Sequence, residues 1–340
     1  MSAGAQQAPR TNAPDPGGRQ HLPLISVAIC TRNRAKPLAR ALESVLPQLG
    51  SDTELLIVDN ASTDETPQIA AALAAHNPAV RVWRETTPGI PAARNAALLN
   101  AQARHILFFD DDELAEPGWL DAYRNFLKNP PTSHLGCVGG PYLEQHEAPT
   151  PAWLDPHYGS FHITTSTGRL IEGSTPATGN CAYPTELVVR LGGFLPQLPR
   201  RHDTELNVRL RKAGYEIWWL ESARVRHIIP ASRLRFKTQV RLWHEEGRDT
   251  AVFRLLSCRT RTNRLALFAG RCLATVPQLI FQFAGSALLC LIFQQRRAAR
   301  LFFRGCRSWG FLEQLLHLGA RELLAGHTPA PLLPLSRPSG

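Results

Sequence analysis

Four consecutive carboxylates, Asp110, Asp111, Asp112 and Glu113, offer the clearest chemistry in the sequence. Adjacent carboxylates repel one another and tend to take up protons unless a cation compensates their charge. Hard divalent cations such as Mg²⁺ and Mn²⁺ prefer oxygen ligands of this kind. The same residues also suit a solvated turn in front of the helix that the sequence predicts from Pro117, because carboxylates favour helix N-termini. A metal site and a capping turn are therefore equally good interpretations of these residues taken alone.

The carboxylates directly follow an apolar run, Ile106-Leu107-Phe108-Phe109. A run without alternation is typical of a buried strand in a parallel sheet, which is covered on both faces. The acidic residues would then lie just past the C-terminal end of the strand, where open α/β sheets bind their ligands.

Strands and helices alternate four times up to this point. The predicted strands are 24–30, 54–59, 79–83 and 106–109, and prolines at 37, 67 and 91 begin the intervening helices. This alternation predicts an α/β fold with a parallel, Rossmann-like sheet flanked by helices. The sequence contains neither GxGxxG after the first strand nor GxxxxGK[ST], so a glycine loop would not hold the phosphates of a nucleotide. That absence favours a cation on the acidic residues as the group that neutralises them.

The next part of the chain continues the α/β pattern around one long loop. The predicted elements are a helix over 117–128, a strand over 135–143 that Gly139-Gly140 interrupts, a strand over 178–183, a helix over 185–191, a helix beginning near Asp203, and strands over 216–220 and 225–229. Loops as long as 145–176 inside a domain are usually functional or mobile. The aromatic residues of this loop are suited either to stacking on a sugar or to apolar packing; they are Trp153, His157, Tyr158 and Phe161. Asp203 itself has an ordinary alternative role as a helix N-cap.

The C-terminal third changes in character. Residues 233–264 are predicted to be helical and are strongly basic, and 273–293 is a run of uncharged residues just long enough to span a bilayer as a helix. Pro277 and several polar residues weaken that prediction, and arginines flank the run on both sides, whereas a single crossing favours asymmetry. An embedded segment, a peripheral amphipathic helix and ordinary soluble helices all remain open.

The composition of the chain limits its possible partners and its cellular compartment. The net charge of +10 is concentrated after Arg200, which suits nucleic acid, an anionic membrane or phosphorylated substrates. Nucleic acid is the weakest of these, because the basic residues interleave with an apolar segment rather than with exposed aromatics. Seven cysteines without CxxC spacing favour a reducing compartment over a disulfide framework. We therefore expect a disordered leader (1–22), an α/β domain (23–230), a basic helical, membrane-associated region (231–328) and a disordered tail (329–340).

Six short motifs occur in an order that identifies a family. They are VAICTRNR (27–34), VDNASTD (58–64), PAARN (91–95), FFDDD (108–112), TGN (178–180) and DTEL (203–206). In this order and spacing, residues 24–230 resemble the family 2 glycosyltransferases of the GT-A fold. The resemblance implies a mixed, mainly parallel sheet flanked by helices. One departure is His202-Asp203, where many members have Glu-Asp.

The resemblance implies a role for each matching residue. Thr31, Arg32 and Asp59 would contact the nucleotide base, and Asn60, Ser62 and Asp64 would shape the loop beside it. Arg94 would approach the ribose or the phosphates, and Asp110 would approach the ribose. Asp112 would be the metal ligand of the DxD pattern. Asp111 would be a donor-binding residue, and we expect it to tolerate substitution best of the three aspartates. Gly179 and Asn180 would border the sugar pocket, Asp203 would be the catalytic base, and His227 would complete the binding of the metal or the diphosphate.

The function implied is inverting transfer of a sugar from a nucleotide-diphosphate donor to an acceptor hydroxyl, dependent on Mn²⁺ or Mg²⁺. We expect a glycan or lipid-linked acceptor, a place in polysaccharide or glycolipid synthesis, and no nucleic-acid partner. The expected location is the cytoplasmic side of a membrane, with residues 265–310 lying on it or embedded in it. The alternatives are a catalytically degenerate scaffold that binds nucleotide-sugar, and a nucleotidyltransferase, which would normally have a glycine-rich signature in place of Thr31-Arg32-Asn33-Arg34.

Overall fold

The computed structural model describes residues 22–258 and 260–325. The predicted leader and tail therefore lie almost wholly outside the described residues. The first half of the α/β region follows the predicted alternation, with short loops between elements. Its elements are β1 (Ile25–Thr31), α1 (Ala35–Val45), β2 (Thr53–Asn60), α2 (Thr66–His76), β3 (Val80–Glu85), α3 (Ile90–Asn100) and β4 (His105–Phe109).

The second half adds shorter elements and a second sheet. Its elements are β5 (Glu113–Ala115), α4 (Trp119–Lys128), β6 (Leu135–Gly139), β7 (Tyr142–His146), β8 (Gly168–Arg169), β9 (Asn180–Pro184), α5 (Thr185–Arg190), α6 (His202–Lys212), β10 (Glu216–Trp219) and β11 (Val225–Ile229). Within the described residues the main sheet has the strand order β3-β2-β1-β4-β9-β6-β10-β8, and a small sheet has the order β5-β11-β7.

The main sheet is mixed and mainly parallel, as the sequence predicts. β1 pairs in parallel with β2 and β4, while β9 runs antiparallel between β4 and β6. β1, β2 and β4 are buried on both faces, which explains their unbroken apolar runs. One apolar cluster packs α1 and α4 against one face, and another packs α3, α5 and α6 against the other. The parallel strands β1, β2 and β4 therefore present their C-terminal ends at one edge of the sheet.

The single strand predicted over 135–143 is wrong. The chain forms two strands there, β6 in the main sheet and β7 in the small one. The change of sheet occurs at Gly140-Pro141, where a Cβ on Gly140 would lie 2.0 Å from the carbonyl oxygen of Ala223. Glycine permits this close backbone approach, and proline lacks the N–H that would continue the ladder.

Three helices follow the sheets: α7 (Phe236–Ser257), α8 (Arg261–Leu291) and α9 (Gln295–Ala325). The prediction that 233–264 is mostly helical is confirmed, and the segment is shared by two helices, because α7 ends at Ser257 and the Thr260 side chain caps a new helix by accepting the Asn263 N–H at 3.1 Å. α8 continues through Pro277. α7 and α9 pack with their backbones in close contact, since a Cβ on Gly247 would lie 2.0 Å from the Arg307 carbonyl oxygen.

One helix of the described chain, Thr262–Leu291 within α8, is long and apolar enough to cross a membrane by length and composition. Many of its apolar side chains are exposed in the protein, including Leu273, Ile280, Phe281 and Leu291. The long loop packs against this helical region rather than standing apart from it. Trp153 contacts the rings of Phe236 and Phe303, so its packing role is the one observed.

Candidate active site

Two adjoining cavities open at the edge where β1, β2 and β4 end. The large cavity has a volume of about 650 Å³ and the small cavity about 420 Å³. The small cavity is lined by Thr31, Arg32 and Asn60, and the large one by Gly179 and residues of α6 and β11. Both cavities are lined by Ile90, Arg94, Asp110, Asp112 and Arg233. The turn that contains the four carboxylates, residues 110–113, thus lies at the junction of the two cavities, and it is named the acidic turn.

Asp111 is the most firmly held residue of the acidic turn. The Thr31 hydroxyl donates to its Oδ2 at 2.6 Å, and Arg34 Nε lies 2.8 Å from its Oδ1. Burial raises the pKa of Asp111 to about 7, although the Arg34 charge acts against the shift. The expectation that Asp111 tolerates change best therefore needs correction, because its carboxylate fastens the acidic turn to β1 and to the loop after it.

Asp112 faces cationic and imidazole groups. Its Oδ2 lies 3.0 Å from Arg34 Nη2, 3.7 Å from Arg233 Nη1 and 4.0 Å from His227 Nε2. The Asp112 carbonyl accepts the Ile228 N–H at 2.8 Å, which ties the turn to β11 and brings His227 alongside.

His227 presents the ring nitrogen that a metal would need. Its Nδ1 donates to the Gly159 carbonyl at 3.1 Å, so Nε2 carries the lone pair and accepts from Arg233 at 3.3 Å. An imidazole fixed by a backbone carbonyl is the usual state of a metal-binding histidine. Among the described residues no group of three or more His, Cys, Asp or Glu could hold a metal ion. A cation at Asp112 and His227 would therefore take its other ligands from water or from phosphate oxygens, as Mg²⁺ commonly does.

Arg94 lies buried between the acidic turn and α6. Its Nη2 donates to Asp110 Oδ1 at 2.8 Å, and its Nη1 donates to His202 Nε2. His202 Nδ1 in turn lies 3.1 Å from the Pro199 carbonyl, to which it donates. Burial and the neighbouring Arg94 charge hold the pKa of His202 well below its usual 6.5, so the ring is neutral. The guanidinium also lies over the ring of Phe108, 5.6 Å from its centre.

Asp203 is the second residue of α6 and lines the large cavity. Arg201 is the N-cap of this helix and its side chain makes no capping bond, so the alternative role of Asp203 as N-cap is excluded. Oδ1 of Asp203 accepts the Thr204 N–H at 2.6 Å. Burial raises the pKa of Asp203, and the Arg94 charge partly offsets the increase.

Gly179 and Asn180 differ in what they offer the cavity. Gly179 lines it, and a Cβ there would lie 2.4 Å from Asp110 Oδ2 and 2.6 Å from Glu113 Oε1. Asn180 is fully buried and its amide makes four hydrogen bonds inside the protein. Its partners are Trp119 Nε1 and the Tyr123 hydroxyl on Oδ1, and the carbonyls of Pro141 and Ala223 on Nδ2. Asn180 therefore fixes the backbone beside Gly179 and has no remaining hydrogen-bonding capacity for a sugar.

The loop after β2 is held by its own side chains. Asn60 binds the Thr87 carbonyl at 2.7 Å and the Gly89 N–H at 2.7 Å, which fixes the start of α3. Ser62 accepts the Asn33 N–H at 2.9 Å, and Asp64 accepts the Ala35 and Thr66 N–H groups at 3.3 and 3.0 Å.

Asp59 lies at the base of this loop. Its Oδ1 accepts the Ser62 N–H at 3.1 Å, while Oδ2 is buried without a hydrogen-bond partner in the described chain. The nearest cationic group, Arg84 Nη1, lies 3.9 Å from that oxygen. Arg32, by contrast, is exposed and lines the small cavity. The structure thus brings Thr31, Arg32 and Asn60 to the small cavity and leaves Ser62 and Asp64 in the loop network.

The site also contains residues for which the sequence predicted no individual role. Glu113 is 1% exposed, lines the large cavity, and has its pKa raised well above its usual value by burial. Arg34 and Arg233 contact Asp112, and Glu246 of α7 lines the large cavity opposite α6. The sequence offered one signal for Arg34, namely its position in the polar loop after β1, two residues beyond Arg32. Arg233 and Glu246 reach the site through tertiary folding alone.

Known proteins resemble part of this sequence, and one solved structure resembles its fold. Residues 26–177 match the family model of glycosyl transferase family 2. A chondroitin synthase of Pasteurella multocida is 34% identical over 118 residues, covering 34% of this chain and 12% of that protein. The succinoglycan biosynthesis protein ExoO of Rhizobium meliloti is 34% identical over 109 residues, covering 31% of this chain and 30% of that protein. The matched segment thus spans less than a third of either relative.

A mannosyltransferase from Pyrobaculum calidifontis, solved in complex with GDP-Man and Mn²⁺, superposes with a TM-score of 0.53 at 20% identity, covering 94% of this chain and 91% of that one. At this identity the superposition concerns the fold. The motif order, the family match and the fold together place residues 26–177 in glycosyl transferase family 2, within a GT-A fold.

Proposed function

We propose that the protein transfers a sugar from a nucleotide-diphosphate donor to an acceptor hydroxyl, with inversion at the anomeric carbon. The observation that carries this proposal is the junction of the two cavities at Asp110, Asp112 and Arg94, with a carboxylate, Asp203, inside the large one. A donor that bridges the cavities would have its nucleoside in the small cavity, its diphosphate at the junction and its sugar in the large cavity.

The small cavity suits a nucleoside. Thr31 and Arg32 line it at the end of β1, and Asn60 lines it at the end of β2. Oδ2 of Asp59 has no hydrogen-bond partner in the described chain, and it would be a buried acceptor for an N–H of a base held beside β2, since buried acceptors favour a partner. Uracil, thymine and guanine each offer such an N–H.

The junction suits a diphosphate. Arg94, Arg34 and Arg233 direct three guanidinium groups toward the acidic turn, and guanidinium groups bind phosphate oxygens well. Asp112 and His227 would hold a divalent cation there, and the residue types and the fixed His227 tautomer fit that role. When bound, the cation would supply Lewis-acid neutralisation of the leaving diphosphate, contributing several kcal/mol.

Asp203 would take the proton of the acceptor hydroxyl, which is worth roughly 10²–10⁴ in rate. A raised pKa makes its carboxylate a better base than an exposed aspartate. Attack from the side of Asp203, opposite the diphosphate, would invert the anomeric centre. Retained configuration in the product, read by NMR, would contradict this step.

The acceptor would approach from the side of α7, because Leu242 and Glu246 line the large cavity. The names of the chondroitin synthase and of the succinoglycan biosynthesis protein support a polysaccharide acceptor. The exposed apolar side chains of α8 support association with a membrane surface.

A donor screen tests the proposal. The full chain is incubated with UDP-, GDP- and dTDP-sugars, with and without Mn²⁺ or Mg²⁺, and release of nucleoside diphosphate is followed. We expect cation-dependent release from one donor class, abolished by Asp112→Asn. The matched control is Asp121→Asn, since Asp121 is exposed on α4. Donor binding without release would favour the degenerate scaffold, and release of pyrophosphate from a nucleoside triphosphate would favour a nucleotidyltransferase.

A further inference from the structure

A third cavity lies within the helical region, away from the acidic turn. It has a volume of about 360 Å³ and lies among α7, α8 and α9. Four arginines line it, and the remaining lining side chains are neutral. They are Arg254, Arg271, Arg304 and Arg307, with Thr250, Thr275, Gln278, Gln282, Ser308 and Phe311. We call this cavity the arginine pocket.

The positive charge of the arginine pocket is largely uncompensated. Arg307 has an ion-pair partner, Glu246, at 3.7 Å, while Arg254 and Arg304 make no ion pair with another residue of the described chain. Arg271 lies over the ring of Phe311, 6.0 Å from its centre. Burial and the neighbouring Arg271 charge lower the pKa of Arg254. Like charges gathered around one cavity are unfavourable unless an anion joins them.

The buried part of the pocket also has capacity to bind. Gln282 is 6% exposed, and its Oε1 has no hydrogen-bond partner among the residues that the structure describes. Thr275, about two helical turns away on α8, is 4% exposed and lines the same cavity. Because buried polar groups are normally satisfied, an amide and a hydroxyl beside guanidinium groups suit a ligand with several oxygens.

α8 presents two different faces. Arg271, Thr275, Gln278 and Gln282 share the pocket face at helical spacing. Apolar side chains are exposed elsewhere on the helix, among them Leu273, Val276, Ile280, Leu288 and Leu291. A polar basic pocket beside an exposed apolar surface is the arrangement that a phosphorylated amphiphile would contact with both of its parts.

We propose that the arginine pocket binds a phosphoryl group, and that the exposed face of α8 favours a lipid as the molecule that carries it. Glu246 connects the pocket to the large cavity, because it lines that cavity and pairs with both Arg201 and Arg307. A bound lipid phosphate would therefore lie on the acceptor side of the active site. The inference does not depend on the proposed transfer reaction.

Two binding assays on the full chain test this inference, using Arg254→Gln/Arg304→Gln as the pocket variant. The control is Arg241→Gln/Arg297→Gln, which removes the same charge from α7 and α9 outside the pocket. In the lipid arm, sedimentation with phosphatidylcholine vesicles containing phosphatidic acid is compared with phosphatidylcholine alone. In the soluble arm, the rise in Tm with inorganic pyrophosphate is measured. All arginines of the active site remain in both variants, so the difference between the variants reports the pocket.

We expect the pocket variant to lose affinity for phosphatidic acid vesicles by about tenfold more than the control, and to lose the pyrophosphate-induced rise in Tm. Weaker vesicle binding by the pocket variant identifies the ligand as a lipid phosphate. Loss of the pyrophosphate effect alone, with vesicle binding unchanged, identifies the ligand as a soluble phosphoryl compound. Thr275→Val/Gln282→Leu, which keeps every charge, should weaken pyrophosphate binding as well. Equal behaviour of the pocket and control variants in both arms would overturn the proposal. So would an unfolded pocket variant, because arginines that repel one another should not be needed for folding.

Discussion

Replacing His202 by leucine should weaken catalysis without unfolding the protein. His202 is 5% exposed, and its Nε2 accepts the Nη1 proton of Arg94, whose Nη2 holds Asp110 at 2.8 Å. Leucine has a similar volume and no acceptor. Arg94 would keep Asp110 and lose the partner that sets the angle of its guanidinium toward the junction of the two cavities.

The magnitude follows from the type of hydrogen bond. A bond to a charged group contributes about 1.5–3 kcal/mol. If that orientation matters in the transition state, kcat/KM falls by roughly 10- to 100-fold, because each 1.4 kcal/mol is a factor of ten. His202→Gln should retain most activity, since the amide of glutamine can place an acceptor where Nε2 stands.

The assay is nucleoside diphosphate release with the donor found in the screen, and Tm is measured in parallel for both variants. Because the His202 ring is held neutral, its protonation should not affect the rate near pH 6.5. The pH profiles of the wild type and of His202→Gln should therefore have the same shape there. A leucine variant that is folded and as active as wild type would refute the positioning of Arg94 by His202.

Three further predictions concern single side chains. Gly179→Ala should lower kcat/KM by about tenfold or more, because a Cβ 2.4 Å from Asp110 Oδ2 must displace that carboxylate; Gly168→Ala, which adds a Cβ into open space, is the control and should change little. Asn180→Ala should lower the free energy of unfolding in urea by roughly 2–5 kcal/mol, since four buried hydrogen bonds are lost, and a change below ~1 kcal/mol would contradict that account. Activity requires ionised Asp203, whose pKa is raised in the folded protein, so the rate should rise with pH through a midpoint above the usual 3.8 of aspartate; a midpoint below 3.8 would contradict the burial argument.

The sheet was predictable because the sequences of its central strands are typical of only one kind of strand, the buried parallel strand. The apolar runs that became β1, β2 and β4 lack alternation, and only burial on both faces satisfies them. Polar residues after such strands must then meet at one edge of the sheet. The proximity of Thr31, Asn60 and Asp110 follows from that geometry without any knowledge of side-chain contacts.

The contacts inside the site were not predictable in the same way. Arg34 reaches Asp112 across 78 positions of sequence, and Arg233 reaches it from the turn after β11. Both contacts depend on side-chain directions that no periodicity specifies. Asp111 illustrates the same limit, because three adjacent aspartates look alike in the sequence and only the fold selects which one is buried against Thr31.

Two details of the secondary structure were not predicted, and each has a local physical cause. Gly139-Gly140 predicts an interruption within one strand, whereas the close approach of Gly140 to Ala223 makes it the point where the chain changes sheet. The break between α7 and α8 contains neither proline nor glycine. Its signal is the N-cap Thr260, which a pattern of basic and apolar residues alone does not reveal.

The central claim is that Asp203 takes the acceptor proton beside a donor held at the acidic turn. The most direct test is the single-turnover rate of glycosyl transfer by Asp203→Asn, with the donor and Mn²⁺ saturating, alongside the donor Kd. We predict a rate lower by about 10²–10⁴ with the Kd unchanged within roughly threefold, because the variant keeps the shape of the site and loses only the base. Transfer at the wild-type rate would contradict the claim.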